Sequence, residues 1–385
     1  MGMVIGIDAS NLRAGGGITH LVELLRAAEP RDYGFSRVIV WGGRQTLAAI
    51  KDREWLLKSH QPLLDQGLFS RLFWQWFRLS GLCRQNGCDL LFVPGGAYSC
   101  DFRPIVTMSR NMLPFEWREL RRYGLSMTTT RLLLLRWLQS RSFRRASGLI
   151  FLTKYAQTEV MRVIKIAAGR VVTIPHGIHA SFAQSPRQQQ QIGYYTFERP
   201  YRVLYVSIIE VYKHQRHVAE AVAKLRASGL PVVLDLVGPA SAAVLKDLLR
   251  SLREFDPDSR FLQYVGAVPH ARLRGIYARA DLNVFASSCE NMPNILLEGM
   301  ASGLPIACSH RGPMPEVLGD AGVYFDPENS DEIADALRTL LVDPGLRAAC
   351  AASAYKKAQA FSWERCANQT FGFLRQVIED FKEQH

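Results

Sequence analysis

Short runs of β-branched and apolar residues recur along the chain at helix-length intervals. They fall at 3–8 (MVIGID), 37–41 (RVIVW), 90–94 (LLFVP), 104–108 (PIVTM), 148–152 (GLIFL) and 171–175 (VVTIP). After a gap a second series follows, at 202–208, 232–237, 262–265, 282–286, 304–308 and 322–325. Apolar strands separated by helices predict parallel sheets covered on both faces. The pattern runs twice, so an α/β fold of two doubly wound domains facing across a cleft is expected. The predicted boundaries are 1–180 for the first domain, 181–200 for a Gln- and Pro-containing linker, and 201–361 for the second. Residues 362–385 carry a helical apolar spacing through Trp363, Cys366, Phe371, Leu374, Val377, Ile378 and Phe381. Spacing alone lets that helix pack on either domain, and the N-terminal one is the expectation.

With 385 residues, 48% hydrophobic and 21% charged, the composition excludes a disordered, collagenous or disulfide-stapled chain. No run approaches the ~18 apolar residues of a spanning helix. The start, MGMVIGIDAS, lacks a basic segment and a cleavage site, so no signal peptide is expected. Cys83, Cys88, Cys100, Cys289, Cys308, Cys350 and Cys366 form no CxxC pair and read as free thiols of a reducing cytoplasm. The nine histidines show neither HxH nor HExxH spacing, so no metal is expected.

Charge changes the picture. The net charge is +12, but residues up to 190 hold 26 basic and 12 acidic side chains, and the remainder 21 and 23. Within 110–145, nine arginines accompany Glu116 and Glu119, interleaved with Trp117, Leu132 to Leu135 and Trp137. Arginine beside tryptophan and leucine on a helix reads as a membrane-surface face. The other reading is a solvated basic face with its leucines turned inward. No helix-turn-helix, finger or RNP motif suggests nucleic acid as a partner.

The densest chemical signal is Ser287-Ser288-Cys289-Glu290-Asn291-Met292-Pro293-Asn294-Ile295-Leu296-Leu297-Glu298. Pro293 suits a first helical residue, and Gly303 the helix exit. Glu290 then lies in the loop before the helix and Glu298 in its second turn, with about 7.5 Å of rise between Pro293 and Glu298. That spacing is too long for one acid/base pair. It suits an elongated, hydroxyl-rich ligand held at both ends, with an anionic group over the helix start. A nucleotide diphosphate sugar fits this layout; a capped helix with two exposed glutamates fits it too.

Glu-x7-Glu after a strand, followed by GLP and Arg311-Gly312-Pro313-Met314-Pro315-Glu316, resembles the GT-B glycosyltransferases of family 4. Thr173-Ile174-Pro175-His176-Gly177-Ile178-His179 and DAGVYFDPENSDEIADAL are similar to that family's signatures as well. The resemblance implies two Rossmann-like domains, an N-terminal one for the acceptor and a C-terminal one for the nucleotide sugar. It implies that Glu290 holds the donor sugar, that Asn291, Met292, Pro293 and Asn294 offer backbone contacts, and that Glu298 binds the ribose. Lys213, in the stretch beginning at Ser207, matches the lysine that contacts the diphosphate. Ile208 stands where the family often has an arginine, with Arg216 and Arg311 as candidate replacements. Gly16 and Gly17, in Ala14 to Thr19, match the family's glycine-rich loop. Arg110 and Asn111 stand where many relatives carry a His-Asp pair near the reacting carbon; Arg110 could bind a phosphate or pair with a carboxylate.

The expectation is therefore a retaining hexosyltransferase that needs no metal or other cofactor, with a nucleotide diphosphate sugar as co-substrate. The resemblance favours GDP-mannose, and a surface glycan such as an O-antigen or lipopolysaccharide precursor, lipid-linked, as acceptor. The enzyme would be cytoplasmic and peripheral on the inner face of the membrane, held by its basic N-terminal half. A nucleotide-sugar epimerase of the same fold and a non-enzymatic basic protein at a membrane or on RNA are the competing readings.

Overall fold

The computed structural model describes residues 2–13 and 15–384. It divides into two units: Met1–Gly177 with Ser362–His385, and Ile178–Phe361. Unit 1 is built on seven parallel strands: β1 (Met3–Asp8), β2 (Phe35–Gly42), β3 (Leu56–His60), β4 (Leu90–Val93), β5 (Ile105–Met108), β6 (Gly148–Phe151) and β7 (Val171–Thr173). Their order is β3-β2-β1-β4-β5-β6-β7. Unit 2 has six: β8 (Tyr201–Val206), β9 (Val232–Val237), β10 (Leu262–Gly266), β11 (Leu282–Phe285), β12 (Ile306–Ser309) and β13 (Val323–Phe325). Their order is β10-β9-β8-β11-β12-β13, again all parallel.

Helices on both faces explain why most strands are continuous apolar runs: β4, β5, β6, β9, β11 and β12 are buried at every position. The sequence pattern misses β3. Its residues, LLKSH, are an edge strand, paired on one side to β2 from Val38–Leu56 to Gly42–His60 and only half buried. An edge tolerates Lys58 and His60, which blur the apolar signal.

The segment 181–200, expected as a linker, falls within unit 2, because buried polar contacts tie it there. Arg347 is 0% exposed and donates to the carbonyls of Leu340 and Leu341 at 2.6 Å each, to Gln189 Oε1 at 3.1 Å and to the Gln190 carbonyl. A buried guanidinium must find acceptors for its five N–H groups, and the Gln run supplies two of them. Upstream, the amide of Gln184 donates to the Ala301 carbonyl at 2.9 Å.

The closing helix, Trp363–Gln384, belongs to unit 1. Phe371 meets Phe35 edge-on at 6.0 Å. Phe373 and Val377 lie against the bare Cα of Gly148, where a Cβ would stand 2.9–3.0 Å from them. Burying each such aromatic contributes roughly 2–3 kcal/mol. The stretch 110–145 forms the helix Met127–Arg145, which buries Leu132 and Phe143 but exposes Leu133, Leu134 and Trp137.

Candidate active site

In unit 2 the chain starts at β8 and runs outward through β9 to β10, then returns to the other side of β8 and runs through β11, β12 and β13. The reversal lies between β8 and β11. In doubly wound sheets, ligands bind at this point, beyond the carboxyl ends of the strands. The two loops leaving these strands are Ser207 to His214 and Ala286 to Pro293, and they carry the residues singled out in the sequence.

The loops are fastened to each other. The amide of Ser288 donates to the Tyr212 carbonyl at 2.9 Å, His214 Nε2 lies 2.9 Å from Ser288 Oγ, and the Tyr205 hydroxyl donates to the Lys213 carbonyl at 2.7 Å. His214 adopts φ +53°, a left-handed turn that starts the helix Gln215–Ala227. Gly238, leaving β9, is forced to be glycine: a Cβ there would lie 1.9 Å from the Ser207 carbonyl oxygen.

Lys213 and Glu290 meet directly as an ion pair, with side chains 8% and 16% exposed. The ammonium also lies 5.5 Å from the centre of the Phe285 ring and 5.1 Å from that of Tyr212. Burial, and after it the Glu290 charge, pushes the Tyr205 hydroxyl and the Cys308 thiol well above their ordinary range, so both stay neutral.

Pro293 occupies the N-cap, and the helix runs Asn294–Ala301, one residue later than the sequence suggested. Asn294 and Glu298 are one turn apart on it, on the same face. Glu298 is buried; its Oε1 lies 2.9 Å from His270 Nε2, while its Oε2 has no hydrogen-bond partner among the described residues. Asn294 Oδ1 is also buried and unpartnered. The nearby Tyr277 hydroxyl donates to the Ile295 carbonyl at 3.3 Å; burial, then the Glu298 charge and a weaker hydrogen-bonding pull from the same carboxylate, raises its pKa well above normal. An unmatched buried acceptor costs about 1–3 kcal/mol, and more when charged. Two such oxygens, one turn apart on one helix, are acceptors that ligand O–H or N–H donors could satisfy. Asn291, Met292 and Pro293 are buried in the turn leading into this helix. His270, at the start of the helix His270–Tyr277, is not singled out by the sequence. Its place after β10, in a neighbouring strand-end loop, is the signal that could have drawn it in.

Other expected residues are engaged elsewhere. Ser207 turns its hydroxyl onto the Ile208 carbonyl at 2.8 Å. Arg311 pairs with Asp326 at 2.6 Å. Arg216 is exposed and lines a cavity of about 570 Å³ with Glu210, His217, Asp247, Arg250 and Glu254. That mixed-charge cavity contains neither Glu290 nor Glu298.

In unit 1, Arg110 pairs with no carboxylate among the described residues. It donates to the carbonyls of Gly16, at 2.6 Å, and Gly17, at 3.3 Å, in the first turn of the helix Gly16–Ala27; Ala14 lies outside the described residues. Burial lowers the guanidinium to about 10. The glycine that needs its freedom here is Gly15, at φ +67°. Asn111 uses Oδ1 to accept from the Leu113 amide at 3.1 Å, closing a turn. Beneath them His20 and His176 are buried with Nδ1 atoms 2.8 Å apart, and Trp363 stacks edge-on against His20 at 5.6 Å. Among the described residues no cluster of His, Cys, Asp and Glu could hold a metal ion.

Comparison with known proteins bears on this geometry. Residues 14–182 match the family model described as Glycosyltransferase Family 4, and residues 200–343 that described as Glycosyl transferases group 1. The O-antigen chain mannosyltransferase B of Escherichia coli is 28% identical over 236 residues, 60% of each chain, so the similarity spans about three-fifths of that relative. HepE of Anabaena, solved in complex with UDP, superposes with TM-score 0.67 over 96% of this chain and 98% of its own at 20% identity. WaaG, a glycosyltransferase involved in lipopolysaccharide biosynthesis, superposes with TM-score 0.70 over 97% and 99% at 16% identity. With the two parallel sheets and the two domain models covering most of its length, the chain belongs to the GT-B glycosyltransferases of family 4.

Proposed function

We propose that this chain is a retaining hexosyltransferase that moves a sugar from a nucleotide diphosphate donor to a lipid-linked surface glycan. The observation that carries it is the buried pair of unpartnered oxygens on Asn294 and Glu298, beside the Lys213–Glu290 ion pair at the sheet's reversal point. Glu298 Oε2 would accept from a ribose hydroxyl. The helix start and Lys213 would face the diphosphate, and Glu290 the sugar hydroxyls.

In the proposed step the bond between the anomeric carbon and the donor phosphate oxygen breaks, and a bond to the acceptor oxygen forms on the same face. The acceptor proton passes to the departing phosphate oxygen. The leaving diphosphate gains negative charge, which Lys213 and the helix N–H groups stabilise. The protein supplies orientation and charge rather than a general base. The similarity to a mannosyltransferase favours GDP-mannose as donor, whereas the Anabaena relative was solved with UDP. The acid-poor helix Met127–Arg145, with Leu133, Leu134 and Trp137 exposed, favours work at a membrane surface; no helix of the described residues is long and apolar enough to cross one.

Thermal-shift titration with GDP, UDP, ADP and TDP, followed by transfer assays with the best base, tests this reading. One nucleotide is expected to stabilise the protein, and its sugar to be transferred with retained anomeric configuration in the presence of EDTA. Indifference to all four, or conversion of a donor with no acceptor present, overturns it.

A further inference from the structure

The helix Leu68–Phe77 reads LFSRLFWQWF, with Leu, Phe or Trp at seven of its ten positions, and unit 1 covers only one side of it. Trp74 and Gln75 are buried; Trp74 donates to Gln61 Oε1 at 3.1 Å, and Gln75 to Asp8 at 2.6 Å and Ser10 at 2.9 Å. On the other side Phe69, Phe73, Trp76 and Phe77 are 87, 50, 68 and 64% exposed. At 3.6 residues per turn these four fall within an arc of about 100°. They pack on one another: Phe73 lies 4.8 Å from Phe77, and Trp76 stacks on Phe77 at 5.9 Å. A soluble surface rarely displays such a cluster without an occupant.

The charge around it indicates the occupant's chemistry. No acidic residue lies between Asp65 and Asp89, while Arg71, Arg78 and Arg84 do. The helix Met127–Arg145 has the same character: from Leu120 to Thr158 there is no acid and there are eight basic residues. The two helices flank one set of strand-end loops. Arg71 donates to the Ser10 carbonyl at 3.3 Å, Asn11 to the Ala97 carbonyl at 3.4 Å, and the Tyr98 amide to Ser142 Oγ at 3.1 Å. Arg84 pairs with Asp101 at 3.5 Å, but Trp and Phe rings on two acid-free segments that carry arginines match the interface of a bilayer with anionic headgroups.

We infer that the helix Leu68–Phe77 is a bilayer-inserting element that seats Phe69, Phe73, Trp76 and Phe77 among the headgroups of an anionic membrane, alongside Leu133, Leu134 and Trp137. The inference deepens the membrane-surface reading above and rests on it. A two-element attachment holds unit 1 in one orientation on the surface, whereas a single basic helix would leave it free to roll.

Co-sedimentation of the full chain with phosphatidylglycerol/phosphatidylethanolamine vesicles, and with phosphatidylcholine vesicles, tests it. The wild type is expected to bind only the anionic vesicles, and Phe73→Ser/Trp76→Ser to weaken that binding about tenfold or more. The nucleotide-induced thermal shift is expected to persist in the variant, which reports that it is folded, and Trp76→Phe is expected to bind as the wild type does. Full vesicle binding by Phe73→Ser/Trp76→Ser, with loss only in Leu134→Ser/Trp137→Ser, overturns the inference and leaves the membrane-surface reading intact. No vesicle binding by the wild type overturns both. Loss of a dimer in light scattering with vesicle binding unchanged identifies a second copy as the occupant and overturns the inference.

Discussion

Lys213 and Glu290, 77 residues apart in sequence, form an almost dry ion pair across the loops of two adjacent strands. Each residue was expected to touch a different part of a donor; the structure joins them to each other. The pair fixes the ammonium in place, so it would lose little freedom on meeting the proposed diphosphate. It also gives the nearly dry ammonium a counter-charge beside the rings of Phe285 and Tyr212.

Removing one partner leaves the other charge buried. Lys213→Ala is expected to lower stability by about 2–3 kcal/mol, at or below the low end for a buried pair because Glu290 keeps some exposure. Lys213→Met/Glu290→Gln, which removes both charges and keeps the volume, is expected to recover most of that stability but no transfer activity. Denaturant unfolding alongside rate measurements checks this. Recovery of activity in the double variant would show that the pair is structural only.

Glu298 gives the reverse balance. Its unpartnered oxygen is a liability without ligand, so Glu298→Ala is expected to change the melting temperature of the free protein little. It should weaken nucleotide binding about tenfold, or roughly 1.4 kcal/mol. If the oxygen serves a ribose hydroxyl, the wild type discriminates against the 2′- or 3′-deoxynucleotide and the variant does not; calorimetric titration with both ligands reads this directly.

His270 acts on the same carboxylate from outside the helix. His270→Ala frees Glu298 to rotate, so KM for the donor is expected to rise about three- to tenfold, with kcat close to wild type, for the loss of one hydrogen bond from a half-exposed histidine. His270→Gln, which keeps a donor, is expected to restore most of the loss. An equal fall in kcat for both variants would instead place His270 among the reacting groups.

What the sequence made legible is what repeats with a physical period. Strands buried on both faces announce themselves as apolar runs, which is why β1, β4, β8 and β11 were readable and the half-exposed edge strand Leu56–His60 was not. The spacing from Glu290 to Glu298 was readable because loop and helix are contiguous. The contacts that organise the site join distant stretches: Lys213 with Glu290, and His270 with Glu298. Composition likewise could not tell that Arg110 would be spent on the carbonyls of Gly16 and Gly17, since an arginine after a strand serves a phosphate or a backbone equally well. The Gln run looked like a linker because its partner, Arg347, lies more than 150 residues downstream.

The buried histidine pair predicts a pH dependence. Burial first, then their neighbours His176 and Arg110 for His20 and Arg110 for His176, holds both imidazoles well below 6.5 in the folded protein. The unfolded chain therefore binds more protons below about pH 6.5, and stability falls as pH drops through that value. Two groups give a limiting slope of roughly 2.7 kcal/mol per pH unit. Asp8, raised by burial, works in the opposite direction where it titrates. Comparison with His20→Gln/His176→Asn isolates the pair: unfolding free energies from pH 7.5 to 5 should fall more steeply for the wild type. Parallel curves would mean that the pair takes up a proton while folded.

Gly303 sets where the helix Asn294–Ala301 ends. It adopts φ +65°, and a Cβ there would stand 2.5 Å from the Gln184 carbonyl oxygen and 2.8 Å from Pro186 N. Both obstacles are backbone, so no side-chain rotation relieves them. Gly303→Ala is expected to cost about 3 kcal/mol, combining a left-handed alanine with displacement of the segment packed behind the helix Asn294–Ala301. Gly303→Asn separates the two effects. Asparagine accepts the left-handed conformation but brings the same Cβ, so a loss close to that of alanine identifies the clash as dominant, and a clear recovery identifies the dihedral. Because the shifted segment bears on the helix that carries Glu298, both variants should also bind nucleotide more weakly than the wild type at temperatures where they remain folded.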